Sequence, residues 1–325
     1  MKLFKILLFL SLTILAFADE PISPKKYQTL LGLGIDVNWD IFNKEIKQEA
    51  YKEAKVFKNK GFDSIRIRFK YFNGTKLSEK EYINLLRSSV DETLKSGLIP
   101  VLSFTGFKFC REPNQKTLHE ALKVWQKVAN IFKNYSYKLS YNLLLEPGKK
   151  LNKNPDILNL YYKQAISIIR NVDPKRVIMI APTHASNPYF LPMLDIPHDR
   201  YLMIEWHFYA SGPSKTNKNK LWTNGNKDEV KLIREKVDFA YNFCKKRGLY
   251  SWVGALMPGN YNKGDTYSNK EQISFMKAII DNLKMYDIPF AINADHQFYD
   301  YSKRAFREDR KEVLDFIVNY YRSKQ

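Results

Sequence analysis

Short apolar runs alternate along the chain with longer stretches in which apolar side chains recur every three or four positions. Runs of the first kind are strands and stretches of the second kind are amphipathic helices. Strands are expected over residues 31–37, 64–69, 99–104, 138–145, 176–181, 201–207, 250–254 and 289–294. Helices are expected over about 44–60, 78–97, 117–133, 156–171, 228–246, 269–285 and 308–321. The punctuation agrees with this division. Gly61 follows the last periodic residue of one helix, and Ser78 with Glu81 three positions on forms a capping box at the start of another. The segment around 188–194 carries no clear period. Eight strands with a helix after nearly every one predict an α/β fold, the eightfold (β/α) TIM barrel, which needs about 250 residues. An open doubly wound sheet would bring a Gly-rich phosphate loop after the first strand. Here Gly32-Leu33-Gly34 lies within the strand, with no third glycine opening a helix.

The first 18 residues stand apart from this alternation. Lys2 and Lys5 precede an apolar run from Ile6 to Leu15, and Ala16-Phe17-Ala18 supplies a small-x-small cleavage pattern. The run is shorter than the roughly 20 apolar residues that span a bilayer. A cleaved signal peptide is therefore expected, with the mature chain starting near Asp19 in the periplasm or the medium. Residues 19–325 are expected to form one domain, since no linker, low-complexity tract or short repeat interrupts them. The formal charge is +19 and becomes +17 without Lys2 and Lys5. Two sources of that charge stay open: attraction to anionic glycans, wall polymers or head groups, or a Lys-rich composition of the kind an AT-rich genome produces. Export excludes nucleic acid as a partner. Cys110 and Cys244 fall far apart in the expected barrel, so a disulfide between them is not expected.

In such a barrel the chemistry lies at the C-terminal ends of the strands. Strand 4 ends in Leu144-Leu145-Glu146-Pro147, which sets a carboxyl group on a stiffened turn at the mouth. A carboxylic acid there suits protonation of a leaving oxygen. The segment through strand 2 reads Gly61-Phe62-Asp63-Ser64-Ile65-Arg66-Ile67-Arg68, strand 6 ends His207-Phe208-Tyr209, and the segment that contains strand 5 reads Arg176-Val177-Ile178-Met179-Ile180-Ala181-Pro182. In order and spacing these segments resemble glycoside hydrolase family 5, the cellulase-like retaining glycosidases, from about Leu31 to Ile317. The resemblance implies Glu146 as acid/base, Arg66 as the arginine that positions the nucleophile, and His207 and Tyr209 as lining of the cleavage subsite. Trp206 and Trp222 are the aromatic candidates for stacking on sugar.

The same resemblance puts the nucleophilic glutamate at Ala255, in Gly254-Ala255-Leu256. Alanine has no atom that attacks an anomeric carbon, and retaining chemistry needs a second carboxylate. Further departures cluster at the mouth. Leu145 stands where the family has the asparagine that contacts the sugar 2-hydroxyl, Thr105 or Gly106 replaces a histidine, and Asn293-Ala294 replaces an aromatic platform.

Three functions follow. The first is a catalytically degenerate barrel kept for binding a glycan or an envelope protein. The second is an active glycosidase acting on a β-glucan-type polysaccharide, with Glu205 or Asp295 as a relocated carboxylate. A separation of roughly 6.5–9.5 Å from Glu146 permits inversion. The third is a structural envelope protein whose cleft is filled by loops around Tyr189 or Trp222. No metal site is expected, because the five histidines do not fall at ligand spacing with carboxylates or cysteines. No cofactor is implied, and a monomer is expected.

Overall fold

The computed structural model describes residues 20–39, 49–209, 225–257 and 267–324. Eight parallel strands close into a barrel in sequence order: β1 (Leu33–Val37), β2 (Ser64–Phe69), β3 (Ile99–Phe104), β4 (Ser140–Asn142), β5 (Ile178–Ile180), β6 (Leu202–Tyr209), β7 (Tyr250–Met257) and β8 (Phe290–Ile292). Pairing of β8 with β1, Leu33 opposite Phe290, completes the ring. The eightfold TIM barrel expected from the periodicity is the fold of the protein.

Eleven α-helical segments accompany these strands among the described residues. They are α1 (Pro24–Leu31), α2 (Ala54–Lys60), α3 (Glu79–Lys95), α4 (Phe107–Arg111), α5 (Gln115–Phe132), α6 (Pro155–Arg170), the single turn α7 (Thr183–Ser186), α8 (Lys227–Lys245), α9 (Asn269–Lys284), the short α10 (Asp295–Phe298) and α11 (Glu308–Ser323). Local chemistry explains several of the starts. Ser78 and Glu81 form the expected capping box on α3, and the same reciprocal pair recurs as Asn226 with Glu229 on α8 and Ser268 with Glu271 on α9. Each such cap satisfies amide donors that the first helical turn leaves without a partner.

α1 replaces the expected start of strand 1 and plugs the N-terminal end of the barrel. Tyr27 and Leu31 pack there with Val101, Met179, Met203, Trp252 and Ala291, and the Tyr27 hydroxyl donates to the Lys138 carbonyl at 2.7 Å. Gly32 ends α1 at φ +48, where an added Cβ would lie 2.2 Å from Asp63 Oδ2. Only glycine fits both conditions. The unpatterned stretch after β5 resolves into a left-handed turn at His184–Ser186 and a 3-10 segment, Pro188–Met193. The amide of Ala185 donates to the Pro147 carbonyl at 2.9 Å, so this loop braces the turn that follows β4.

β6 and β7 run further toward the mouth than expected, for an identifiable reason. Their register skips a residue, pairing Trp206 with Val253 but His207 with Ala255. The bulge lets Gly254 and Ala255 both face inward, which re-aims the chain at the barrel rim.

Candidate active site

The barrel interior is layered. Above the apolar plug lies a charged layer, and above that the mouth. In the charged layer Arg66 is wholly buried and held on both sides. Its Nε donates to Asp36 Oδ1 at 2.7 Å, its Nη2 to Asp36 Oδ2, and its Nη1 to Glu205 Oε1 at 2.8 Å. The Trp252 ring faces its guanidinium at 5.4 Å. Arg68, one turn of the pleat higher, donates from Nη2 to Asp36 Oδ2 and to Asn293 Oδ1, both at 2.6 Å.

At the mouth the side chains of β6 take over. Alternation along the strand points Glu205, His207 and Tyr209 inward in ascending order. His207 bridges the layers: Nε2 contacts Glu205 Oε1, and Nδ1 lies 3.2 Å from Glu146 Oε1. The Tyr209 hydroxyl donates to the same Glu146 oxygen at 2.6 Å. Glu146 sits at φ +49, a conformation rare for a side chain-bearing residue and one found where function over-determines the backbone. Its side chain is 25% exposed, whereas His207 and Glu205 are at 1% and 0%, so Glu146 is the member of this network that meets solvent.

Electrostatics follow from this geometry. Burial disfavours the charged form of His207, but Glu205 and Glu146 outweigh it and raise its pKa above the ordinary value. Burial likewise opposes ionised Glu205, yet His207 and Arg66 hold its pKa below the ordinary one. Tyr209 is pushed well up, first by burial and then by the Glu146 carboxylate beside it. The two carboxylates on its ring nitrogens thus favour the protonated form of His207, in which both nitrogens donate.

The structure brings Arg66, Glu146, Glu205, His207 and Tyr209 into one network, and it corrects four expectations about them. Arg66, expected to position a nucleophile on β7 and counted with the sugar-binding residues, is instead wholly buried, with its guanidinium on Asp36 and Glu205. Trp206 does not face the mouth. The alternation that turns Glu205 and His207 inward turns Trp206 outward, into the apolar layer under the helices, with Nε1 3.4 Å from Ser251 Oγ. Glu205 does not stand across a groove from Glu146, because the imidazole ring of His207 lies between them. Asp295 is also fully buried, accepting from Asn38 Nδ2 at 3.4 Å and from the Tyr301 hydroxyl.

Ala255 is buried, its methyl group packed with Tyr209 and Met257. Leu145 and Thr105 are buried as well, and Asn293 accepts from Arg68 at the end of β8. Trp222 lies outside the described residues. Tyr189 is 47% exposed on the loop beyond α7. Cys110 and Cys244 are buried free thiols. Two members of the network were missed from sequence: Asp36 and Asn38. A charged residue inside the otherwise apolar run Leu33–Val37 was the available signal for the first.

Comparison with known proteins places this geometry in context. Residues 29–294 match the profile of "Cellulase (glycosyl hydrolase family 5)". Endoglucanase H of Acetivibrio thermocellus is 22% identical over 204 residues, 61% of this chain, and the chain spans only 22% of that protein's length. Among solved structures, endoglucanase Cel5A of Thermotoga maritima superposes with a TM-score of 0.77 at 19% identity, covering 91% of this chain and 100% of that one. The cellulose synthase subunit Z of Clostridioides difficile gives 0.74 at 22% identity, with 89% and 99% covered. At such identities these structures share the fold. Among the described residues no helix is long and apolar enough to cross a membrane.

Proposed function

Because this chain belongs to the cellulase family, glycosyl hydrolase family 5, we propose that it is an exported carbohydrate-binding barrel in which hydrolysis has been lost. The observation that carries this proposal is that, among the described residues of the network, Glu146 is the carboxylate that reaches solvent at the mouth, and the inward position on β7 that faces His207 is the methyl group of Ala255. Retention requires two carboxylates about 5–5.5 Å apart, one of which bonds to the anomeric carbon. A methyl group forms no such bond. The burial of Glu205 and Asp295, and their engagement by Arg66, His207, Asn38 and Tyr301, speaks against either as a replacement.

What remains is a braced polar mouth. Glu146 Oε1 is held by His207 and Tyr209, and hydroxyl groups of a sugar are natural partners for a carboxylate at such a mouth. The N-terminal basic-apolar-small pattern supports export, and the basic charge supports residence near anionic envelope polymers. The Thermotoga maritima Cel5A structures include complexes with mannotriose and with cellobiose, which makes both sugar series the ligands to try first.

The test is direct. Purified protein is incubated with β-glucans and mannans, and cello- and manno-oligosaccharides are titrated by calorimetry. Binding without sugar release is expected. Sugar release that disappears in Glu146→Gln would overturn the proposal in favour of an active enzyme. No binding to either series would favour an envelope protein as the partner.

A further inference from the structure

The charged layer and the mouth hold two guanidinium groups, Arg66 and Arg68, and the His207 imidazole, which these neighbours favour in its protonated form, against three carboxylates, Asp36, Glu205 and Glu146. Buried charge is tolerated when it is paired and hydrogen-bonded, so this balance is a condition for the site to exist. Glu205 is its pivot. One oxygen, Oε1, takes both Arg66 Nη1 and His207 Nε2. The same oxygen is lodged against β7: a Cβ added at Gly254 would lie 2.0 Å from it. Gly254 is the bulged residue immediately before Ala255, and Ala255 pairs in register with His207. A negative charge delivered by β6 therefore sits beside the backbone from which a β7 carboxylate would have sprung.

We propose that Glu205 is a positioning residue that has taken over the electrostatic role of the carboxylate absent at position 255, keeping Arg66 and the His207 ring in place beneath Glu146. The proposal rests on the reading that hydrolysis is lost through Ala255. It explains how the mouth stays ordered without a nucleophile. It also has a consequence for reversal. A carboxylate introduced by A255E would be a fourth negative group in this layer, and the guanidinium of Arg66 already has Nε and Nη2 on Asp36 and Nη1 on Glu205, so it would have to share its charge with a third carboxylate. Reactivation requires the removal of Glu205 as well.

Two measurements test this. The first follows the His207 ring by NMR in protein labelled with nitrogen-15 histidine, its signal assigned by loss in His207→Gln. Facing that ring are Glu205 and Tyr209 from β6, Glu146 from the turn after β4 and Arg66 from β2, with β7 contributing no titratable group. In the wild type the imidazolium should persist above the ordinary histidine midpoint, and E205Q should bring the midpoint down by more than tenfold in proton concentration. A wild-type ring neutral at pH 6.5, or a midpoint unmoved by E205Q, overturns the proposal. Should E205Q fail to fold, E205D serves: the shorter carboxylate should lower the midpoint, and an unchanged one overturns the proposal.

The second measurement compares A255E with A255E/E205S on dinitrophenyl β-cellobioside. In the productive variant the introduced carboxylate bonds to the anomeric carbon as the bond to dinitrophenolate breaks. Water then cleaves the glycosyl ester, giving its proton to the Glu146 carboxylate. The double variant should exceed A255E by at least about tenfold, a barrier difference of about 1.4 kcal/mol. Equal rates, whether both zero or both measurable, overturn the consequence for reversal. Glu146-dependent sugar release by the wild type would remove the loss-of-hydrolysis reading, while the imidazole titration would still decide what Glu205 does.

Discussion

Lys236, on α8, should be a source of instability, and replacing it should strengthen the protein. Its side chain is 5% exposed, with Nζ 4.5 Å from the centroid of Phe208 and 5.6 Å from that of Tyr189. Among the described residues it has no ion-pair partner, and burial alone lowers its pKa from 10.5 to about 8. A base whose folded pKa lies below its unfolded one is destabilising at low pH, where both states carry the proton. Between about pH 8 and 10.5 only the unfolded chain binds it, so stability rises with pH across that window. The gap corresponds to about 3 kcal/mol at neutral pH, an upper figure because the unfolded reference is idealised. Lys236→Met keeps the length and removes the charge. At pH 7 it should stabilise by about 1–3 kcal/mol, a Tm gain of roughly 2–6 °C for a domain of this size. Urea denaturation of both proteins at pH 7 and pH 10 measures it, and the advantage of the variant should shrink at the higher pH. A variant that is less stable than wild type at pH 7, or whose advantage is the same at both pH values, would refute the reasoning.

Three other outcomes follow from the charged layer. Arg66→Met leaves the buried Asp36 with Arg68 and the buried Glu205 with His207 as their remaining cationic partners, and urea unfolding should record a loss of about 3–5 kcal/mol, against about 1 kcal/mol or less for Glu146→Gln at the partly exposed rim. Gly254→Ala places a methyl group in the space of Glu205 Oε1. It should cost about 1–3 kcal/mol and lower the His207 midpoint in the same sample. The raised pKa of His207 contributes stability that is complete below 6.5 and lost as pH rises through the folded value, while the lowered pKa of Glu205 contributes stability present above 4.5 and lost as pH falls. In a Lys236→Met background the urea midpoint should therefore peak between pH 4.5 and 6.5. A midpoint still climbing from pH 6.5 to 8 contradicts this.

Much of the architecture was legible in the order of residues because it rests on short-range rules. Strand and helix periods, the Ser78–Glu81 cap and the glycine at 61 act within a few positions, so β2 and β3 fall where the pattern puts them. The position of the candidate site residues was legible for the same reason, since a strand end is defined locally and Glu146, His207 and Tyr209 all lie at one. The elements that escaped are those held by distant partners. α1 is eight residues long, too short to be stable alone, and forms because Tyr27 and Leu31 close the barrel floor. Asp36 looked like an interruption in an apolar strand until Arg66 and Arg68 arrived from β2 beside it.

The sequence by itself determined that a barrel forms, that Glu146 ends its fourth strand at the mouth, and that position 255 has a methyl group where the family expects a carboxylate. Only the tertiary structure decided what the other charges do. Nothing local separates Glu205 as a spare acid at an open groove from Glu205 as a sealed partner of Arg66 and His207. The strands that carry these groups are 139 positions apart in sequence, and whether water or a guanidinium meets the carboxylate depends on barrel closure and on the bulge at Gly254.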